Sequence, residues 1–96
     1  MQYFHRTSLP PEDVLAEADR HFGAYLETNE STERARSYHG SIGTIGVSVR
    51  AEGGHYVHVS VHTDQVGESE ADKLAKRFLA QVHKLAEPAH ELRGAY

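Results

Sequence analysis

Two stretches of strict alternation constrain this chain more than anything else in it. Over Gly43–Ala51, Ile45, Val47, Val49 and Ala51 take one side, and Thr44, Gly46, Ser48 and Arg50 the other. Over His55–Thr63, Val57, Val59, Val61 and Thr63 alternate with Tyr56, His58, Ser60 and His62. Successive strand side chains point to opposite faces, so each stretch has one apolar and one polar face. This predicts an antiparallel sheet with one face buried and one in water. Strands of a parallel sheet are covered on both sides and read as unbroken apolar runs.

The connection between these strands carries its own constraint. Residues paired across an antiparallel ladder share a face. A two-residue Gly53-Gly54 loop pairs Glu52 with His55 and sets Val57 opposite Arg50, which splits the faces. A three-residue loop, Glu52-Gly53-Gly54, pairs Ala51 with His55 and Val49 with Val57. It places Gly54 at a left-handed position that glycine accepts without steric cost.

The remaining elements follow from period and punctuation. Residues 2–7, Gln-Tyr-Phe-His-Arg-Thr, read as a short strand with Tyr3, His5 and Thr7 on one side and Gln2, Phe4 and Arg6 on the other. Its facing is undecided. Pro11 is a good first helical residue, and Glu12 and Asp13 suit the positive end of a helix dipole. Val14, Leu15, Ala18, Phe22, Tyr25 and Leu26 then form one helical stripe, predicting a helix over 11–26. Thr28–Thr32 reads as a polar loop. A third strand is expected over 33–39, with Arg34, Arg36 and Tyr38 turned outward to keep two arginines in water. Gly40–Gly43 is a tight turn. Ser69 is the candidate N-cap of a helix over 69–87, whose stripe is Ala71, Leu74, Ala75, Phe78, Leu79, Val82, Leu85 and Ala86. Pro88 ends it, and 89–96 reads as a frayed tail.

The 96 residues suffice for one domain, 1–96. The expected architecture is α+β. It is a β-α-β-β-β-α two-layer sandwich, with a mainly antiparallel four-stranded sheet and both helices on its apolar face. The other sheet face is left bare.

Composition narrows the function. The chain has no cysteine, so disulfides, thiolate zinc sites and cysteine catalysis are impossible. No apolar run approaches the roughly 20 residues of a membrane span, and Met1–Pro10 lacks the apolar core of a secretory signal. A cytoplasmic location with no membrane partner is the expectation. The formal charge of −4 argues against a nucleic-acid partner, since phosphate contact needs a basic surface. Eight histidines, more than the lysines, would reverse that charge if all were protonated, and histidine titrates between about pH 5 and 8.

No motif fixes a reaction, so no catalytic residue, metal ligand or cofactor is assigned. His58 and His62 share a strand face but stand about 13 Å apart at about 3.3 Å per residue, too far to chelate one ion. Ser60 holds the position where a His-x-His chelate would need its second histidine. Glu17 and His21, like His83 and Glu87, have the spacing of an ordinary solvated helical pair. Gly40-x-x-Gly43-x-x-Gly46 leads into a strand and lacks the helix N-terminus that binds phosphate. The candidate face is the bare one, carrying Arg50, Tyr56, His58, Ser60 and His62 with Ser48, and with Arg36 and Tyr38 if the third strand faces outward. Aromatic, arginine and histidine side chains among small neighbours have the composition of an interface. A non-enzymatic interaction module that pairs with itself across this face is the expected function, with weaker association at pH 5 than at pH 8.

Two segments also resemble the helix-grip superfamily, the START and polyketide-cyclase-like proteins. The opening strand followed by Ser8-Leu9-Pro10-Pro11-Glu12-Asp13-Val14 is similar to that family's first strand and helix entry. The two Val-rich strands followed by a long amphipathic helix are similar to its end. The resemblance implies binding of a small apolar ligand in a cavity between the sheet and the helix bearing Phe78 and Val82. The family's sheet is longer and curls around that helix, and several of its strands have no counterpart here. No functional residue of that family is carried over to this chain.

Overall fold

The alternating stretches form the two central strands of an open five-stranded antiparallel sheet. The computed structural model describes residues 1–86. In chain order the elements are β1 (Gln2–Thr7), α1 (Pro11–Gly23), β2 (Glu27–Ser31), β3 (Ala35–Gly40), β4 (Gly43–Ala51), β5 (Val57–Thr63) and α2 (Glu70–Ala86). The spatial order is β1-β5-β4-β3-β2. β1 and β2 are thus the two edges, and α1 crosses the sheet to join them. Residue 87 of the expected helix, Pro88 and the expected 89–96 tail lie outside the described residues.

The fold is α+β with both helices on one sheet face, but the sheet has five strands rather than four. The added strand, β2, occupies most of the segment read as a polar loop. All five of its residues are exposed. No side chain enters the core, so it has no apolar alternation to read. It is held by its ladder to β3, with a bulge between Thr28 and Glu30. α1 ends at Gly23 rather than residue 26, and the N–H groups of Tyr25 and Leu26 both donate to the Phe22 carbonyl, at 3.0 and 2.8 Å. Leu26 is nonetheless buried.

The third strand faces the other way from expectation. Ser41 and Ile42 form a two-residue connection, with Gly40 paired to Gly43. This puts Tyr38 opposite Ile45 and Arg36 opposite Val47, on the helix side. Tyr38 is fully buried. What makes the arrangement affordable is Asp19 on α1. The Tyr38 hydroxyl donates to Asp19 Oδ1 at 2.7 Å, and Arg36 Nε lies 3.2 Å from the same oxygen. Neither the phenol nor the guanidinium is left without a partner.

The core lies between the sheet and the helices. α1 packs over β3 and β4, and α2 over β5, β1 and β4. Phe22 from α1, Phe78 from α2 and Tyr38 from β3 meet at its centre, with ring centroids 5.0 and 5.2 Å from Phe22. Truncating an aromatic at such a place costs about 3–5 kcal/mol. Phe78 and Val82 are fully buried.

A polar staple joins β1 to the start of α2. Asp72 is fully buried. Its carboxylate accepts hydrogen bonds from the Tyr3 hydroxyl and from the Glu68 N–H at 2.9 Å, and pairs with Lys76 at 3.3 Å. The Tyr3 bond, then the Glu68 N–H, hold its pKa below the ordinary carboxylate value against the opposing effect of burial. Ser69 caps α2 as expected, its hydroxyl accepting from the Asp72 N–H at 3.1 Å.

Candidate interaction face

The outer face of the sheet is assembled by cross-strand register. One row runs Arg6–His58–Arg50 across β1, β5 and β4, and the next Phe4–Ser60–Ser48. A third runs Gln2–His62–Gly46 and continues to Ser37 and Glu30. Four of the expected residues, Arg50, His58, Ser60 and His62, therefore share this face. Tyr56 precedes β5 in the hairpin and stands beside the Arg6 end of the first row, with the Arg6 guanidinium 5.5 Å from its ring centroid. Tyr38 and Arg36 are on the opposite side, for the reason given above.

The hairpin that carries Tyr56 differs in register from expectation. Ala51 pairs with Val57 and Val49 with Val59, two residues further along β5 than predicted. The Glu52 N–H donates to the Tyr56 carbonyl at 2.9 Å, so the tight segment is Gly53-Gly54-His55. Gly54 has φ +80°, the left-handed conformation expected of it. The shift is even, so each side chain keeps its face.

Phe4 and Arg6 are members of this face that the reading of the sequence left unassigned. Phe4 is 62% exposed, and its ring centroid lies 5.2 Å from that of His58. Arg6 Nε is 3.1 Å from Glu52 Oε1. Aromatics occur on both sides of β1, so alternation alone could not orient it. Arg6 was the available signal, because turning it outward takes Phe4 with it.

Gly46 sits beneath the imidazole of His62. A Cβ at residue 46 would lie 2.6 Å from Nε2 of that ring. The glycine lets the ring lie against the sheet instead of standing away from it. One hollow of about 400 Å³ lies along Gln2, Phe4, Arg50, His58 and Ser60. Another of about 230 Å³ lies beside Glu30, Ser37, Gly46, Ser48 and His62.

A further groove, of about 660 Å³, lies between the two helices and is lined by Glu17, Arg20, His21, Leu74, Arg77 and Lys84 among others. Its Glu17 carboxylate is buried and paired with Arg20, and His21 Nε2 meets the Leu74 carbonyl at 3.1 Å. The first contact lies within α1, and the second joins α1 to α2. No described helix is long and apolar enough to cross a membrane.

No protein-family model matches this chain, and no curated protein matches it in sequence.

Proposed function

We propose that the protein is a non-enzymatic assembly module that associates with a second copy of itself through the outer face of its sheet. The observation that carries this reading is the cluster of Phe4, Arg6, Arg50, Tyr56 and His58 on an open sheet face. Phe4 is 62% and Tyr56 49% exposed. Antiparallel sheets tolerate water on one face, but a solvated face has no need of two large exposed aromatics, one on each side of the Arg6–His58–Arg50 row. Aromatic and arginine side chains are the ones that anchor interfaces. Sedimentation velocity of the full chain at micromolar concentration and neutral pH tests the reading. The expected species is a dimer, and a monomer throughout would overturn it.

A further inference from the structure

The two edges of the sheet are built differently. β2 is wholly exposed, carries Glu27 and Glu30, and is interrupted by its bulge. Charges and bulges are common devices that stop one sheet edge pairing with another. β1 has neither a bulge nor a proline. Its register with β5 runs unbroken from Gln2–His62 to Thr7–Val57, and Arg6 is its only arginine, lysine or carboxylate.

Hydrogen-bond parity says which groups of β1 face outward. The Thr63 N–H donates to the Met1 carbonyl at 2.8 Å, and the Met1 amine donates to the Thr63 carbonyl at 3.1 Å. Pairs that exchange both bonds recur at every second residue of an antiparallel ladder. Tyr3, His5 and Thr7 therefore spend their backbone groups on β5. The N–H and C=O groups of Gln2, Phe4 and Arg6 point away from the sheet. Among the described residues no backbone group beyond the strand meets them.

We propose that this edge pairs with β1 of a second copy, antiparallel about a two-fold axis at Phe4. This rests on the self-association reading and adds a contact along the edge of the outer face, where Phe4 lies. Only outward groups can exchange bonds, so Gln2, Phe4 and Arg6 must face the same residues of the other copy. The register of greatest overlap sets Phe4 opposite the partner's Phe4, and Gln2 opposite the partner's Arg6. It is self-complementary, as a two-fold interface must be. It places no like charges opposite one another. On the helix side it brings Tyr3 across from the partner's His5. The outer faces of the two sheets become continuous, and the two Phe4 side chains cover each other.

Hydrogen exchange of the full chain, above and below its dissociation constant, tests the pairing. The amides of Gln2, Phe4 and Arg6 gain protection only at high concentration, whereas those of Tyr3, His5 and Thr7 are protected at both. Phe4→Pro removes an N–H that the β1–β5 ladder does not use. Phe4→Lys keeps the N–H and sets like charges opposite each other at the axis. Each raises the dissociation constant by about tenfold or more, with unchanged circular dichroism. Should Phe4→Pro fail to fold, Phe4→Lys decides. Free exchange of those three amides in the dimer overturns the edge pairing and leaves outer-face association standing, whereas unaltered dimerisation in the folded variants overturns both, because Phe4 belongs to each contact. A chain that is monomeric at every concentration overturns both. Protection of those amides in a monomer shows that the chain covers its own edge, which also overturns the pairing.

Discussion

The Tyr38 hydroxyl donates to the Asp19 carboxylate at 2.7 Å, tying the third strand to the first helix from inside the core. The ring is fully buried against Phe22. Burial first, then the bond to Asp19, push the phenol's pKa far above that of an ordinary tyrosine. Tyr38→Phe keeps the ring and loses the bond, which costs about 1 kcal/mol. Tyr38→Ala also empties the site and costs about 3–5 kcal/mol. Urea denaturation of the two variants measures both. In an alkaline absorbance titration Tyr38 should ionise last, with Tyr3 also delayed by its bond to Asp72, and Tyr38→Phe should remove the final step.

That pair also shows why one strand was misread. Arg34, Arg36 and Tyr38 look like a face meant for water when β3 is read alone. The residue that makes burial of Tyr38 tolerable is Asp19, on another element, and nothing within the strand announces it. β4 and β5 were legible because they bury β-branched residues at period two: Ile45, Val47 and Val49 in one, and Val57, Val59, Val61 and Thr63 in the other. Their relative register was legible only as a parity. A slide of two residues keeps Val49 and Val59 on the same face, so burial does not resist it. β2 buries nothing, so no side-chain pattern could reveal it. On the outer face, Arg50, His58, Ser60 and His62 were readable for the same reason as the core beneath them.

Asp72 makes the fold sensitive to acid. Its folded pKa is depressed, chiefly by the Tyr3 hydroxyl and the Glu68 N–H. A depressed carboxylate contributes stability that is fully present above the unfolded pKa, about 3.9, and is lost as pH falls through the folded value. Stability should therefore drop below about pH 4. Tyr3→Phe should shrink that drop, and Asp72→Asn should remove its own share while lowering stability at neutral pH. Thermal melts between pH 2.5 and 7 check both.

His5 adds a second, milder dependence. Burial, then the positive charge His83 would carry, lower its pKa. The two rings meet edge to face with centroids 6.1 Å apart, where β1 packs against α2. The unfolded chain takes up this proton first, near pH 6.5, so the group costs stability as pH falls from there toward the folded value. In melts between pH 5 and 8, His5→Gln should flatten the curve. An unchanged slope would show that His5 is not responsible.

Gly43 and Gly46 should respond differently to alanine. Gly43 has φ +124°, and a Cβ there would lie 2.7 Å from the Asp64 carboxylate that accepts the Thr44 N–H. Gly43→Ala adds backbone strain to that collision and should cost about 1–3 kcal/mol. At Gly46 the obstacle is the imidazole of His62, the exposed end of a rotatable side chain. Gly46→Ala should turn that ring outward and change stability by less than about 1 kcal/mol. Urea midpoints separate the two, and the imidazole NMR shifts of His62 report the movement.

The outer face should couple association to pH. His58 stands between Arg6 and Arg50 in one cross-strand row, with Glu52 paired to Arg6 beside it. His62 lies four residues along β5, in the row that ends at Glu30. Protonating His58 puts a third positive charge in a row that already holds two, and like charges directly opposite each other destabilise a sheet face. If this face meets a second copy, the same charges confront their counterparts there. The dissociation constant should then be several-fold higher at pH 5 than at pH 8, about the range over which histidine titrates. Sedimentation equilibrium at the two pH values measures it, and 0.5 M salt should narrow the gap by screening. His58→Gln should remove most of the dependence. Should the wild type show equal constants at both pH values, the histidines of this face take no part in assembly.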